Sequence, residues 1–409
     1  MVTGRSALLV ERLSRFAARA SYDDLSKAAG EQLKIRVLDA LACAIGALDG
    51  APVRLVHDQL EEFDGSGPCS LLGGGHAAPD RAAFYNSALV RYLDFNDSYL
   101  AKGETCHPSD NLGAVLAAAR TAHAIAIAGT AFNALRVTRT GPLSHWKGLA
   151  FANVAGAVTR TTFLARRGIT GPLEVFEGEK GFMDAVAGYF ELNWENENLE
   201  RVTQTILKKY NAEIHSQSVL EAVLELRARE HLSAADVERV EVDVFDVAYR
   251  IIGGGEEGDK MMVRNKEQAD HSLPYLVAVA LLDGEVMPAQ YRPARILSDD
   301  VQALLLRVAV RPDDAFSRRF PVEMPCRVRV TLRDGRVLTA ELADYPGFLT
   351  RGRTWGAARE KLERLGAPYT TLSLRDRIAG TVAELERFRV SELTSLLTAV
   401  RRPGTAAAA

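Results

Sequence analysis

The hydrophobic pattern of this 409-residue chain changes period twice, and that change limits the folds open to it. Residues 5–49 read as helix. There Leu33, Val37, Leu38, Leu41, Ala42 and Ile45 fall at i, i+3, i+4 spacing and make one apolar stripe. Residues 80–93 continue the helical reading, and the stretch after Lys147 is helical and rich in small residues. Past residue 203 the period shortens to two. VERVEVDVFDVAYRI (237–251) and CRVRVTLRDGRVLTAEL (326–342) alternate apolar and polar residues, with Asp334-Gly335 as a hairpin turn. Leu304–Val310 reads as a further strand, and ADHSLPYLVAVALLDG as a helix with Pro274 in its first turn. Residues 354–400 return to helix. The pattern predicts a mainly α protein with a smaller α+β domain. Residues 1–202 and 351–409 form the helical domain, and residues 203–350 are inserted as the α+β part. A chain of this length can bury the cores of two domains.

A net charge of −3 offers no general attraction to nucleic acid or to a membrane surface, so any pull on an acidic ligand must come from local cations. Cys43, Cys69, Cys106 and Cys326 are scattered, without a C-x-x-C pair. This argues against a zinc site, an iron–sulfur cluster or a disulfide framework. The N-terminus lacks a signal-type apolar core and no run is long enough to span a bilayer, which makes the cytoplasm the expected location. The Gly-rich CSLLGGGHAAPD (69–80) is not followed by Gly-Lys-Ser/Thr, so it is a poor phosphate loop, and His76 within it is expected to be exposed.

The chemistry concentrates in RYLDFNDSYLAKGETCHPSDNLGAVLAAAR (91–120). Asp94, Asn96, Asp97 and Ser98 crowd its first part. Pro108 and Asp110 suit a first helical turn, and from Leu112 the residues are small and apolar, as in a buried helix. His107 would then sit just before free helical N–H groups, beside two carboxylates and a hydroxyl, a set suited to proton transfer on an anionic substrate. A self-bonded loop followed by an ordinary helix start fits the same residues.

The string D-F-N-D-S followed by H-P-S-D-N-L-G resembles the signature of the MmgE/PrpD family, and matching segments recur through most of the chain. The resemblance implies a homodimeric, cofactor-free lyase acting on a small di- or tricarboxylate, such as a 2-methylcitrate dehydratase or a cis-aconitate decarboxylase. SHWKGLAFANVAGAVTRTTFLARRGITGP (144–172) resembles the family's lysine-bearing loop and following helix, which implies that Lys147 faces the substrate. ILKKYNAEIHSQSVLEAVLELR (206–227) resembles the dehydratase form of the next motif and holds Lys208, Lys209 and His215. His215 could equally cap the following helix, and the lysines could be exposed charge. His271 and Tyr275 match a motif whose tyrosine approaches the substrate.

One departure stands out. After Arg120 the chain passes directly to a later family segment and skips on the order of sixty residues, judged from usual helix and loop lengths. In the family that part supplies a second active-site histidine and some of the subunit interface. His123 lies near the junction without features of a substitute. A true deletion and an omitted segment both account for the gap.

These readings predict dehydration of a 2-methylcitrate-like tricarboxylate, with the α+β part as a lid over a site between the domains. Asp94 and His107 share acid and base roles, Ser98 offers a hydroxyl, Lys147 is catalytic, and Tyr275 comes from the lid. Asp97, Lys208, Lys209, His215 and His271 hold carboxylates, with no metal, organic cofactor, nucleic acid or membrane involved. The rivals are decarboxylation or isomerisation of an aconitate-like acid, and a family member whose catalysis is impaired by the missing segment.

Overall fold

The computed structural model describes residues 7–63, 66–101, 105–112, 122–139, 143–194, 197–255, 259–352 and 354–402. Its helices, in chain order, are α1 (Leu9–Arg19), α2 (Lys27–Gly46), α3 (Ala51–Glu62), α4 (Pro79–Tyr92), α5 (Ala122–Ala131), α6 (Trp146–Arg166), α7 (Gln217–Arg229), α8 (Leu273–Asp283), α9 (Asp299–Leu305), α10 (Asp314–Arg319), α11 (Trp355–Gly366), α12 (Leu372–Ala383) and α13 (Val390–Leu397), with shorter turns between them. Two small hairpins, β1 (Cys69–Ser70) with β2 (His76–Ala77) and β3 (Tyr99–Leu100) with β4 (Thr105–Cys106), precede the main sheet of β5 (Val237–Val244), β6 (Val308–Pro312), β7 (Cys326–Leu332) and β8 (Val337–Leu342). Among the described residues no helix is long and apolar enough to cross a membrane.

Two large apolar cores organise most of these elements. One is drawn from residues 35–152 and 358–400 together with Leu207 and Met287, the other from residues 206–348. In the first, α4 packs along α6 and α11 along α2. The small residues foreseen in α6 allow the close approach: a Cβ on Gly156 would lie 2.8 Å from the Asp80 carbonyl oxygen. Helix α2 differs from the single stripe its spacing predicts. Lys34, Arg36 and Asp39 are buried along with the apolar positions, while Leu33 is exposed. Neighbours lie on several sides of α2, and its polar residues find partners there. Asp39 pairs with Lys361 of α11 at 2.5 Å, and Arg36 donates to Thr205 Oγ1 and carbonyl oxygen.

The main sheet has the order β6-β5-β7-β8, with β5 and β6 parallel and the other pairs antiparallel. The alternation in β7 is followed faithfully: Cys326, Val328, Val330 and Leu332 are buried, and Arg327 and Arg329 pair with Asp243 on the other face. Helix α7 lies on β7 and β8, and α8 beside it reaches β6. Asp334-Gly335 makes the expected turn, with Gly335 at φ 87°.

Two strand boundaries move. β5 stops at Val244, because the following V-A-Y-R-I-I also carries a helical period; Ala248 and Ile252 are its buried pair. The strand expected at 304–310 begins at Val308, since Val301, Leu304 and Leu305 are the buried face of α9. The helix expected from Leu112 lies, beyond that residue, outside the described residues.

Lys361 tests the first core. It donates 2.9 Å to the Phe95 carbonyl as well as pairing with Asp39, so Lys361→Met leaves a buried carboxylate without its cation. The expected loss in urea unfolding at pH 8 is about 3–5 kcal/mol. It should shrink at pH 5, because burial already pushes the Asp39 carboxyl up and a protonated Asp39 needs no cation. A loss that is the same at both pH values would contradict the pairing.

Candidate active site

The site begins where α4 ends. A helix leaves its last carbonyls without internal donors, and here that end is buried. Four consecutive carbonyl oxygens are capped by side chains from elsewhere: Tyr92 by Lys266 at 2.5 Å, Leu93 by Asn211 at 2.6 Å, Asp94 by Lys208 at 2.7 Å and Phe95 by Lys361 at 2.9 Å. Cations at this end also suit the negative pole of the helix. Asp94 turns the chain in the left-handed region, at φ 57°. Its carboxylate accepts from Arg91 at 2.8 Å, Lys208 at 2.6 Å and Lys147 at 3.2 Å. Burial alone would raise this carboxyl, but the three cations outweigh it and hold Asp94 well below the usual carboxylate range.

Hairpin β3–β4 returns the chain so that His107 stands over the acidic loop. Its Nδ1 is 2.7 Å from the Asp97 carbonyl oxygen, which can only accept, so Nδ1 carries the proton and Nε2 keeps a lone pair. Ser98 Oγ lies 3.2 Å from the same Nδ1, which places the hydroxyl behind the imidazole. Burial, aided by Arg91 and Lys208, holds His107 well below its ordinary value. The histidine is followed by the short turn Pro108–Asn111. Asp97 accepts from the Ser109 amide at 3.1 Å, and Asn96 bonds Ser109 and Asp110. Burial pushes Asp110 up to about 6 against the pull of Arg91.

Lys147 joins this loop to the α+β part. It stands in the first turn of α6 rather than on a loop, and it is buried. Its Nζ contacts Asp94 Oδ2, Asp270 Oδ1 at 2.8 Å and His271 Nδ1 at 3.0 Å. Burial opposes ionisation of Asp270, yet Lys147 and Lys266 prevail and hold it low; His271 is lowered by burial and by Lys147. Asp94, Asp270 and His271 converge closely enough to ligate a cation. The Lys147 ammonium is already bonded to all three and supplies the positive charge at that point.

The structure thus brings together Asp94, Ser98, His107, Lys147, Lys208 and His271, with Asp97 alongside. It does not bring in Lys209, whose ammonium pairs with Glu221 at 2.7 Å and is partly exposed. Tyr275 is fully buried in the second core and donates to the Gln290 carbonyl. His215 does not cap α7; its Nδ1 bonds Glu213. His123 accepts from the Gly171 amide, outside the cluster. Sequence reasoning missed Arg91, Asp270 and Lys266. Arg91 and Asp270 lay inside or beside the strings already singled out, and an acid next to a candidate histidine was the available signal for Asp270. Two cavities border the site: one of about 370 Å³ touches Phe95, Lys208 and Lys361, and one of about 650 Å³, mostly apolar, touches Asp97, Pro108 and Ser109.

The electrostatics of His107 give a measurable slope. The folded protein keeps the imidazole neutral, whereas the unfolded chain takes up a proton near pH 6.5. Its contribution is therefore complete above the unfolded value and is lost as the pH falls below it. Between pH 6 and 5 the unfolding free energy should fall faster than that of His107→Asn, by about 1.4 kcal/mol per pH unit. Equal slopes in urea titrations would place the imidazole in water.

Comparison with known proteins identifies the family. The MmgE/PrpD N-terminal domain matches residues 11–122 and 118–195, and the MmgE/PrpD C-terminal domain matches residues 210–387. The N-terminal match comes in two pieces that meet at the junction where the family pattern is short. The chain is 25% identical to a 2-methylcitrate dehydratase of Salmonella typhi over 82% of this chain and 85% of that protein. It is 28% identical to the Cupriavidus necator 2-methylcitrate dehydratase, over 68% and 72%. A cis-aconitate decarboxylase of Mus musculus is 24% identical, over 72% and 59%. With both family domains matched in order along most of its length, this chain belongs to the MmgE/PrpD family.

Proposed function

We propose that the protein is a hydro-lyase that dehydrates a 2-methylcitrate-like tricarboxylate to an aconitate-type product, with no metal or organic cofactor. The observation that carries the reading is His107: a neutral imidazole with Nδ1–H committed to a carbonyl and Nε2 available, beside a group of buried cations. A proton alpha to a carboxylate is weakly acidic, so its removal needs fixed positive charge where the electron density develops. Lys147 and Lys208, with Arg91 behind them, are positioned for that, and His107 Nε2 is the base. Asp94 is a poor base in this setting, because three cations hold its carboxylate. Its role here is to hold those cations in place. The dehydratase relatives favour this chemistry, while the decarboxylase relative keeps decarboxylation as the second reading.

The reading includes the division into a helical domain (1–202 and 351–409) and an α+β lid (203–350). It is supported by the two cores and by a cluster that draws Asp94, His107 and Lys147 from one and Lys208, Asp270 and His271 from the other. The C-terminal family match runs on to residue 387, past the expected return at 351. A cytoplasmic homodimer without nucleic-acid or membrane partners completes the proposal.

Incubating purified protein with 2-methylcitrate and separating the products is the test. Formation of an unsaturated tricarboxylate without carbon dioxide is expected, and carbon dioxide release would select decarboxylation. Binding of the acid without turnover would mark an impaired enzyme. His107→Asn should lower kcat by about two to four orders of magnitude. Activity should survive exhaustive chelation; loss that a metal ion restores would overturn the cofactor-free mechanism.

A further inference from the structure

Beside the Lys147 cluster lies a second acid–histidine pair. Glu213 opens the short turn Ile214–Ser216, and its carboxylate accepts twice from His215: from the backbone N–H at 2.7 Å and from Nδ1 at 2.7 Å. Both residues are buried. Burial opposes ionisation of Glu213, but His215, with His271 and Lys208, outweighs it and keeps the carboxylate charged. An ionised carboxylate only accepts, so Nδ1 of His215 carries a proton and the ring cannot turn without losing that bond. The ring is held on its sides by Phe245 and Phe320, edge-on at 5.6 and 5.7 Å between centroids. Its other nitrogen, Nε2, is fully buried and has no hydrogen-bond partner. The Glu213 amide donates 3.1 Å to the Asp270 carbonyl, which ties the pair to the cluster around Lys147.

Buried polar atoms are rarely left without a partner, and those that are call for a functional explanation. A purely structural turn would need neither the imidazole nor a buried, unpaired Nε2. We propose that Glu213 is a positioning residue that fixes His215 with Nε2 toward the bound polycarboxylate, as the second proton-transfer group of the site. This rests on the dehydration reading. In that reaction His107 Nε2 takes the proton from carbon, the carbon–oxygen bond breaks, and the imidazolium form of His215 gives its Nε2 proton to the departing hydroxyl, which leaves as water. The substrate has then lost one water. His107 returns its proton to solvent, and His215 is reprotonated from there. A carboxylate on Nδ1 fixes the orientation of the ring, as an acid behind a catalytic histidine does elsewhere.

Nitrogen NMR of ¹⁵N-histidine-labelled protein tests the placement without relying on turnover. The His215 signals are identified by their loss in His215→Gln, and citrate serves as the probe. Protonated Nδ1 in the free protein, and a shift of His215 Nε2 when citrate is added, are expected. A His215 protonated on Nε2 alone, or one unmoved by citrate concentrations that shift His107, overturns the proposal. In Glu213→Gln the His215 tautomer should become mixed, and kcat on 2-methylcitrate should fall about tenfold to a hundredfold, the range for a lost partner behind a functional histidine, with KM changed much less. An unchanged kcat in a folded Glu213→Gln variant also overturns it. Wild-type protein that does not turn over 2-methylcitrate while His215 Nε2 still responds to citrate would sink the dehydration reading and keep the positioned histidine.

Discussion

Helix α4 ends inside the protein, where the carbonyl groups of its last residue and of the three that follow must find donors within the fold. Lys266, Asn211, Lys208 and Lys361 take the carbonyls of residues 92 to 95 in turn, and none of the four belongs to α4. Three of those donors are lysines, so satisfying the helix end carries positive charge into the interior. That charge must itself be paired, and Asp94, Asp270 and Asp39 do so. A network of this kind offers little net stability over well-packed apolar residues. Groups perturbed this strongly are more often found where chemistry is done.

The same constraint joins the two cores. Lys208, Asn211, Lys266 and Asp270 come from residues beyond 203, and they meet Asp94, Leu93, Tyr92 and Lys147 in turn from the helical part. The two-residue bridge between Ser98 and Ile206 aligns the segments, with paired backbone bonds of 2.9 and 2.8 Å. It turns the Lys208 side chain inward onto Asp94. Lys209, one residue on, faces outward to Glu221. His107 is placed by the neighbouring hairpin, and its neutrality follows from burial among these cations.

Much of the fold was legible because local period reflects local structure. The helical stretches, the β7–β8 hairpin with its Asp334-Gly335 turn, and α8 with Pro274 at its start all follow from spacing. The errors arose where a short apolar run carried two periods at once, as at 246–253 and 299–305. For α2, a helix surrounded by neighbours, the stripe understated the burial. Residue type and order singled out the acidic loop, His107 and Lys147, and the structure brings these residues together. Tyr275 was not placed correctly, because α8 is buried along nearly its whole length and packing alone decides where its hydroxyl points.

By itself the sequence determined the element types, the return to helix near the C-terminus and the crowding of acids, hydroxyl and histidine in one stretch, since each depends on residues within a few positions of one another. The tertiary structure decided which charges meet. Asp94 and Lys208 lie 114 positions apart, and Lys147 and Asp270 lie 123 apart. No periodicity links such residues. Their pairing, the choice of Lys208 over Lys209, the commitment of Asp94 to its cations and the neutral state of His107 follow from burial. Burial makes an unpaired charge costly and so selects the partners the fold can bring within reach.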